Sequence, residues 1–179
     1  MPNIRSYQGK FPIIAKNSYI DESSIIIGDV IIDENVSIWC NTVIRADVGS
    51  IHIGKNSNVQ DLSLLHLTRD DPGHSKGSSI IIGENVTIGH KCCLHGCKIA
   101  NNVLVGMGTI ILDDAMIEED VLIGSGSLVP KNKVLKSGYL YLGSPVKAIR
   151  LLNEEELSHI KYSANSYVLH KDTMVVNER

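Results

Sequence analysis

The chain has 179 residues, 43% of them apolar, with 17 Lys and Arg against 20 Asp and Glu for a formal net charge of −3. That size suits one domain, the apolar share excludes a disordered chain, and the lack of a basic excess gives no footing for nucleic acid. Aromatic residues make up only 4%, whereas 24 residues are Ile and 15 are Val, so the core is built from branched aliphatics that favour strands.

The N-terminal stretch MPNIRSYQGKFP has no signal-peptide core, and no apolar run approaches the roughly 20 residues of a membrane span. Cys40, Cys92, Cys93 and Cys97 are too few and too clustered for a secreted disulfide framework. A soluble, cytoplasmic protein with reduced thiols and no membrane contact is expected.

From Ile20 onward an aliphatic residue recurs every six positions, at Ile26, Ile32, Ile38 and Ile44. A small or β-branched residue follows each by four, at Ser24, Val30, Val36, Thr42 and Val48. The register restarts at Ile53, Val59 and Leu65, pauses over a polar insertion from about Thr68 to Ser79, and resumes at Ile82, Ile88 and Leu94. After one five-residue step it runs through Ile99, Val105, Ile111, Ile117, Ile123 and Val129.

A period of six matches neither a helix nor a long alternating strand. It matches a triangular coil whose three sides each point one aliphatic residue inward, with roughly 18 residues to a turn of a parallel β-helix. Asn35, Asn85 and Asn102, with Gly28, Gly83, Gly106 and Gly124, suit corners or places of tight backbone approach. Coils stacked about 4.8 Å apart enclose a prism with room for Ile, Val and Leu but little for rings, which accounts for the scarcity of aromatics. Seventeen units in register exclude a β-sandwich with coincidental spacing. The sequons Asn35-Val36-Ser37 and Asn85-Val86-Thr87 are the repeat itself.

Beyond Val129 the pattern weakens. Asn153 followed by Glu154, Glu155 and Glu156 predicts an N-cap with acids in the first helical turn. Leu157, Ile160, Ala164, Tyr167 and Val168 continue at helical spacing to about Lys171. Residues 1–152 thus form the repeat unit, with an N-terminal cap and the insertion at about 68–79. Residues 153–179 form a helix and tail packed on it.

Of the seven histidines, His52, His74, His159 and His170 read as structural or solvated, whereas His66, His90 and His95 flank the insertion in LLHLT and GHKCCLHGC. Let the prism sides be A, B and C with Ile44 on A, and let the insertions bulge outward. Ile53 then falls on B, Val59 on C, Leu65 on A, Ile82 on B, Ile88 on C and Leu94 on A. His66 and His95 each follow the inward residue of side A, one coil apart, near enough to share one ion at zinc–nitrogen distances of about 2.0–2.1 Å. His90 lies on side C and meets such an ion only from another subunit, if side A of one chain packs beside side C of the next in a cyclic trimer. The same register puts Arg45 on side A and Asp61 on side C, predicting an ion pair across that interface.

These segments resemble the γ-class carbonic anhydrase family, in particular its bacterial carbonic-anhydrase-like branch, over nearly the whole chain. The matching stretches are IRADV at Ile44–Val48, SNVQD at Ser57–Asp61, LLH ending at His66, and GHKCCLHGC at Gly89–Cys97. The resemblance implies a left-handed β-helix, although the general crossover rule favours the other hand and the repeat leaves it open. It implies a homotrimer with His66, His90 and His95 as metal ligands and Arg45 and Asp61 as the interchain pair. Gln60 would orient the bound water or substrate, with Asp47 and Asn58 supporting it. The ion would be Zn²⁺, or Fe²⁺ or Co²⁺, among which three neutral imidazoles do not choose unaided.

Three His with an open fourth position are the pattern of a catalytic zinc site, at which metal-bound hydroxide attacks CO2 to give bicarbonate. Strongly active members of the family carry an acidic residue directly after Arg-x-Asp and further Glu in an acidic loop, as a proton relay. Here Val48 takes the first position and the insertion holds Asp70, Asp71 and His74 but no Glu, so weak or absent turnover is expected. Gly73 and Gly77 would let the insertion move. Cys92 fills a small inward slot, while Cys93 and Cys97 are expected at the surface or an interface, within reach of oxidation. Three other readings compete: a coenzyme A-dependent acyltransferase using one His as general base, a metal-dependent thioesterase or esterase, and a non-catalytic metal-binding scaffold.

Overall fold

A computed structural model describes residues 2–72 and 77–176; Gly73 and His74 of the insertion and the last residues of the tail lie outside them. The six-residue ruler becomes three columns of inward side chains. On side A, Ile26, Ile44, Leu65, Leu94, Ile111 and Val129 pair coil upon coil in parallel register. On side B the column is Ile32, Ile53, Ile82, Ile99, Ile117 and Leu135. On side C it is Ile20, Ile38, Val59, Ile88, Val105, Ile123 and Tyr141. From Ile26 on, every one of these side chains is buried, and together they make a single core. Sides A and B belong to one twelve-stranded sheet because Ile25–Ile32 and Val43–Ile53 run unbroken through their shared corner. Side C is a separate eight-stranded sheet.

Both insertions leave the columns in phase. Gly28 pairs with Ala46 but Val30 with Ile51, so the extra residues after Ala46 are absorbed at the A–B corner. The longer insertion leaves after His66 and returns at Ile80, whose strand pairs with Ile51–Ile53.

The corners explain the asparagines. Asn35, Asn56, Asn85 and Asn102 all adopt positive φ, between 54° and 59°, a conformation that Asn tolerates better than branched residues. Their side-chain amides form a ladder along the B–C edge, from Asn17 through Asn35, Asn56 and Asn85 to Asn102, in steps of 2.8, 3.1, 3.1 and 3.4 Å. Asn35 and Asn85, the residues of the two sequons, are thus committed to the ladder. Gly106 answers a different need: a Cβ there would lie 2.5 Å from the backbone nitrogen of Ser125 on the next coil.

The C-terminal helix spans Glu154–Val176 and packs on side C against Ser37–Ile38 and Thr87–Ile88. It outruns the expected end near Lys171. Lys171 is buried with its Nζ 2.5 Å from Asp172 Oδ1, so the charge is paired within its own turn and does not stop the helix. Ile160 and Ala164 are buried under it, and Tyr167 stacks edge-on to Trp39, which also meets Tyr19, with ring centroids 5.5 and 5.3 Å apart. These rings lie outside the prism, between side C and the helix. Within the described core column the ring is Tyr141, at the last coil, where its hydroxyl accepts the Lys136 N–H at 2.7 Å. No helix among the described residues is long and apolar enough to cross a membrane.

The start of this helix is capped reciprocally. Asn153 Oδ1 accepts the Glu156 N–H at 2.8 Å, and Glu156 Oε2 accepts the Asn153 N–H at 3.0 Å, while Arg150 adds two bonds at 2.7 and 2.8 Å. Replacing Asn153 with Ala is expected to lower stability by about 1 kcal/mol, read from the urea midpoint at neutral pH. The Arg150 guanidinium and the Asn153 N–H hold the Glu156 carboxyl down at about 2, against an ordinary value of 4.5. Its contribution is therefore complete above pH 4.5 and disappears as pH falls towards 2, so Glu156→Gln should flatten that part of the acid-unfolding curve and leave pH 3–4 stability less pH-dependent than wild type.

Candidate metal centre

His66 and His95 are register partners on side A. Strand alternation turns both outward because Leu65 and Leu94, the residues before them, point into the prism. The two rings tilt together with centroids 5.2 Å apart, and His66 Nδ1 lies 3.2 Å from His95 Nε2. A carboxylate holds the outer nitrogen of each: His66 Nε2 is 3.0 Å from Asp47 Oδ1, and His95 Nδ1 is 2.8 Å from Asp113 Oδ1.

This arrangement has a chemical consequence. An ionised carboxylate only accepts, so each neutral ring turns its one N–H towards its carboxylate and leaves a lone pair on the facing nitrogen. Two lone pairs 3.2 Å apart repel unless a cation or proton lies between them. Two ligands of one tetrahedral ion, bonded at 2.0–2.1 Å, sit about 3.3 Å apart, which the observed spacing matches.

Burial pushes the His66 ring towards its neutral form; Asp47 opposes this, Arg45 and His95 reinforce it, and the balance lies below the ordinary imidazole value. Burial raises the Asp47 carboxyl, but the bonds from His66 and Arg45 outweigh it and leave the group below the usual range. Asp113 is pulled down to about 2, since Thr68, His95 and Lys131 together overcome a substantial burial penalty.

His90 sits on side C, two residues after the inward Ile88, with Nδ1 2.7 Å from Asp61 Oδ2. Within one chain Arg45 pairs with Asp47 and Asp61 with His90. Among the described residues no three His, Cys, Asp or Glu side chains gather in metal-binding geometry. The fold thus brings His66, His95, Arg45 and Asp47 together on side A, and His90, Asp61, Asn58 and Gln60 together on side C.

Gln60 and Asn58 are buried polar side chains in a chain of bonds. Gln60 Nε2 donates to Asn58 Oδ1 at 3.2 Å, Asn58 Nδ2 donates to Thr87 Oγ1 at 3.1 Å, and Thr87 Oγ1 lies 3.2 Å from Ser163 Oγ on the helix. The helix therefore helps to orient Gln60. Asp47, which the family resemblance groups with Asn58, bonds within this chain to His66 and Arg45 on side A.

The sequence reading missed Asp113 and Thr68. Thr68 looks like the start of a polar insertion, and Asp113, beside Asp114, carries no local mark of a role. The available signal was register: Asp113 follows inward Ile111 by two, which puts it one coil from Gly96, next to His95.

Residues 96–131 match the family model "Bacterial transferase hexapeptide (six repeats)". Protein YrdA of Escherichia coli is 54% identical over 94% of this chain and 92% of its own length. A carbonic anhydrase of Geobacillus kaustophilus is 43% identical over 92% of this chain and 87% of its own. The chain belongs to the γ-class carbonic anhydrase family. A crystal structure of a Bacillus cereus protein described as a putative acetyltransferase superposes with a TM-score of 0.90 at 40% identity, covering 97% of this chain and 96% of that one. The γ-class fold, a left-handed β-helix of hexapeptide repeats with one C-terminal helix, is what the parallel columns and capping helix display.

In this γ-class chain Cys92 is buried and Cys93 part-exposed as expected, and Cys97 departs from expectation. Cys97 is completely buried rather than at the surface, because the five-residue step after Leu94 turns it into the core, and only Cys93 and Cys40 are part-exposed. Burial pushes Cys92 up to about 11 and Cys97 up to about 12. At pH 8 their thiolate fractions are then about one in a thousand and one in ten thousand. Labelling of these two by a disulfide reagent in the folded protein should be far slower than in guanidinium, as followed by mass spectrometry of the modified peptides.

Proposed function

We propose that this protein is a homotrimeric, metal-dependent carbonic anhydrase of modest turnover, with each site formed by His66 and His95 of one chain and His90 of the next. The observation that carries the reading is the pair of imidazole nitrogens, His66 Nδ1 and His95 Nε2, facing each other at 3.2 Å, with the other nitrogen of each ring backed by a carboxylate. That pair fits a divalent cation, with Zn²⁺ preferred and Fe²⁺ or Co²⁺ compatible. The lack of a third ligand among the described residues, and the place of His90 on another side, favour completion by a neighbour. The outer face of side A supports such packing: Val43, Leu64, Cys93, Ile110 and Leu128 stack in register, and Leu64 and Ile110 are each 41% exposed. In the trimer Arg45 would reach the neighbour's Asp61. Four cysteines without a disulfide suit a cytoplasmic setting.

A cation held there supplies the Lewis acidity that ionises water near neutral pH. The chain's residues do the rest. Gln60, locked by Asn58, Thr87 and Ser163, presents a fixed amide for orienting a small, linear substrate such as CO2. Asp47 keeps the His66 proton on Nε2 and pairs with Arg45. A cavity of about 290 Å³ opens beside Asp47, lined by Tyr7, Lys10 and Val48 among others, with no Glu in its wall. Val48 packs partly on the core, so proton export at this position falls to buffer.

Light scattering with metal analysis should give a mass near three chains and about one divalent ion per chain; a metal-free monomer would overturn the reading. Stopped-flow CO2 hydration should be metal-dependent, with His90→Ala lowering it by at least about two orders of magnitude. Val48→Glu should raise it, by up to about 100-fold, if the variant keeps the wild-type unfolding midpoint. The putative-acetyltransferase relative makes acyl transfer the competing reading, and release of coenzyme A thiol from acetyl-coenzyme A without any metal-dependent hydration would favour it.

A further inference from the structure

Asp113 is a carboxylate only 7% exposed, and it is anchored from three directions. Its Oδ1 accepts from Thr68 Oγ1 at 2.6 Å and from His95 Nδ1 at 2.8 Å, and its Oδ2 faces Lys131 Nζ at 3.3 Å. Those partners come from three places in the chain: the start of the long insertion, the neighbouring coil, and the coil beyond. Space for the carboxylate is made by Gly96. A Cβ at that position would lie 2.6 Å from Asp113 Oδ1 and 2.4 Å from Ser78 Oγ, and Gly96 has φ of +55°. Burying an ion at the rim of an aliphatic prism opposes folding unless it is well partnered, and an aliphatic side chain would serve the prism better. The convergence of anchors on one carboxylate, whose Oδ1 also meets an imidazole, calls for a role beyond packing.

We infer that Asp113 is a positioning residue, clamped by Thr68 and Lys131, that locks His95 in the Nδ1–H tautomer and aims Nε2 at His66 Nδ1. A neutral imidazole has one N–H; a fixed acceptor at Nδ1 keeps it there and frees Nε2 as a ligand. Gly96 belongs to the same device, since any side chain there would displace the carboxylate. The tautomer assignment stands on this chain alone. Its effect on metal affinity rests on the metal-site reading above.

The test begins with the metal-free full-length protein, labelled with ¹⁵N-histidine and held at pH 8. Long-range ¹H–¹⁵N correlation should find His95 protonated at Nδ1 in wild type. In Asp113→Asn, whose amide can donate as well as accept, that preference should be lost, with the Nε2–H form now populated. Zinc affinity measured by chelator competition should fall roughly 10- to 100-fold in Asp113→Asn. Thr68→Val, which removes one anchor and leaves the carboxylate, should fall between the two on both readouts and guards against a misfolded Asp113 variant. If either wild type lacks the Nδ1–H form or both variants keep it with affinity within two-fold of wild type, the inference is overturned. If wild type binds no zinc while the tautomer shifts as stated, the positioning role stands and the metal reading alone fails.

Discussion

A prism only one aliphatic side chain deep on each face sets the terms for everything else in this protein. Three inward columns of Ile, Leu and Val must stay in phase coil after coil, because a slip of one residue would turn every inward side chain outward. Phase therefore survives two insertions and a five-residue step, each absorbed at a corner. Corners in turn demand residues that accept positive φ, and the asparagines placed there bond to one another along an edge. Large rings find no place within such a column until its last coil, so Tyr19, Trp39 and Tyr167 collect outside, where they fix the helix to side C.

The same stacking creates the chemistry. Outward residues in register on adjacent coils stand one strand spacing apart, so two His at equivalent positions must meet. What they do on meeting depends on their outer nitrogens, and there the fold supplies carboxylates from Asp47 on one side and Asp113 on the other. Both carboxyls are held below their ordinary range, so they act as fixed acceptors and leave the inner nitrogens as lone pairs. Side C contributes a second cluster, in which the helix reaches Gln60 through Ser163, Thr87 and Asn58. The two clusters thus stand on different faces of one prism, His66 and His95 on side A and His90 on side C.

Much of this was legible from residue order. The period of six placed the columns, and with them the pairing of His66 with His95 and the separate side of His90, while Asn153 and the three acids after it marked the start of the capped helix. Other features escaped for physical reasons. Lys171 reads as a helix end until burial and Asp172 are seen beside it. Cys97 reads as exposed because the five-residue step hides which way it faces. Asp113 carries no local mark, and Thr68 reads as the start of the insertion, because nothing local shows that they converge.

The amino-acid sequence by itself determined the architecture, since a periodic aliphatic pattern encodes inward and outward at every position, and it determined which histidines could stack. Tertiary structure decided the hydrogen-bond partners within the chain: that Asp47 bonds to His66, that Asp113 bonds to His95, and that Gly96 clears the way for it. Periodicity specifies the direction of a side chain, but partners 18, 19 or 45 residues apart depend on how coils and insertions close in space. Such contacts are therefore set by the folded chain and not by its local order.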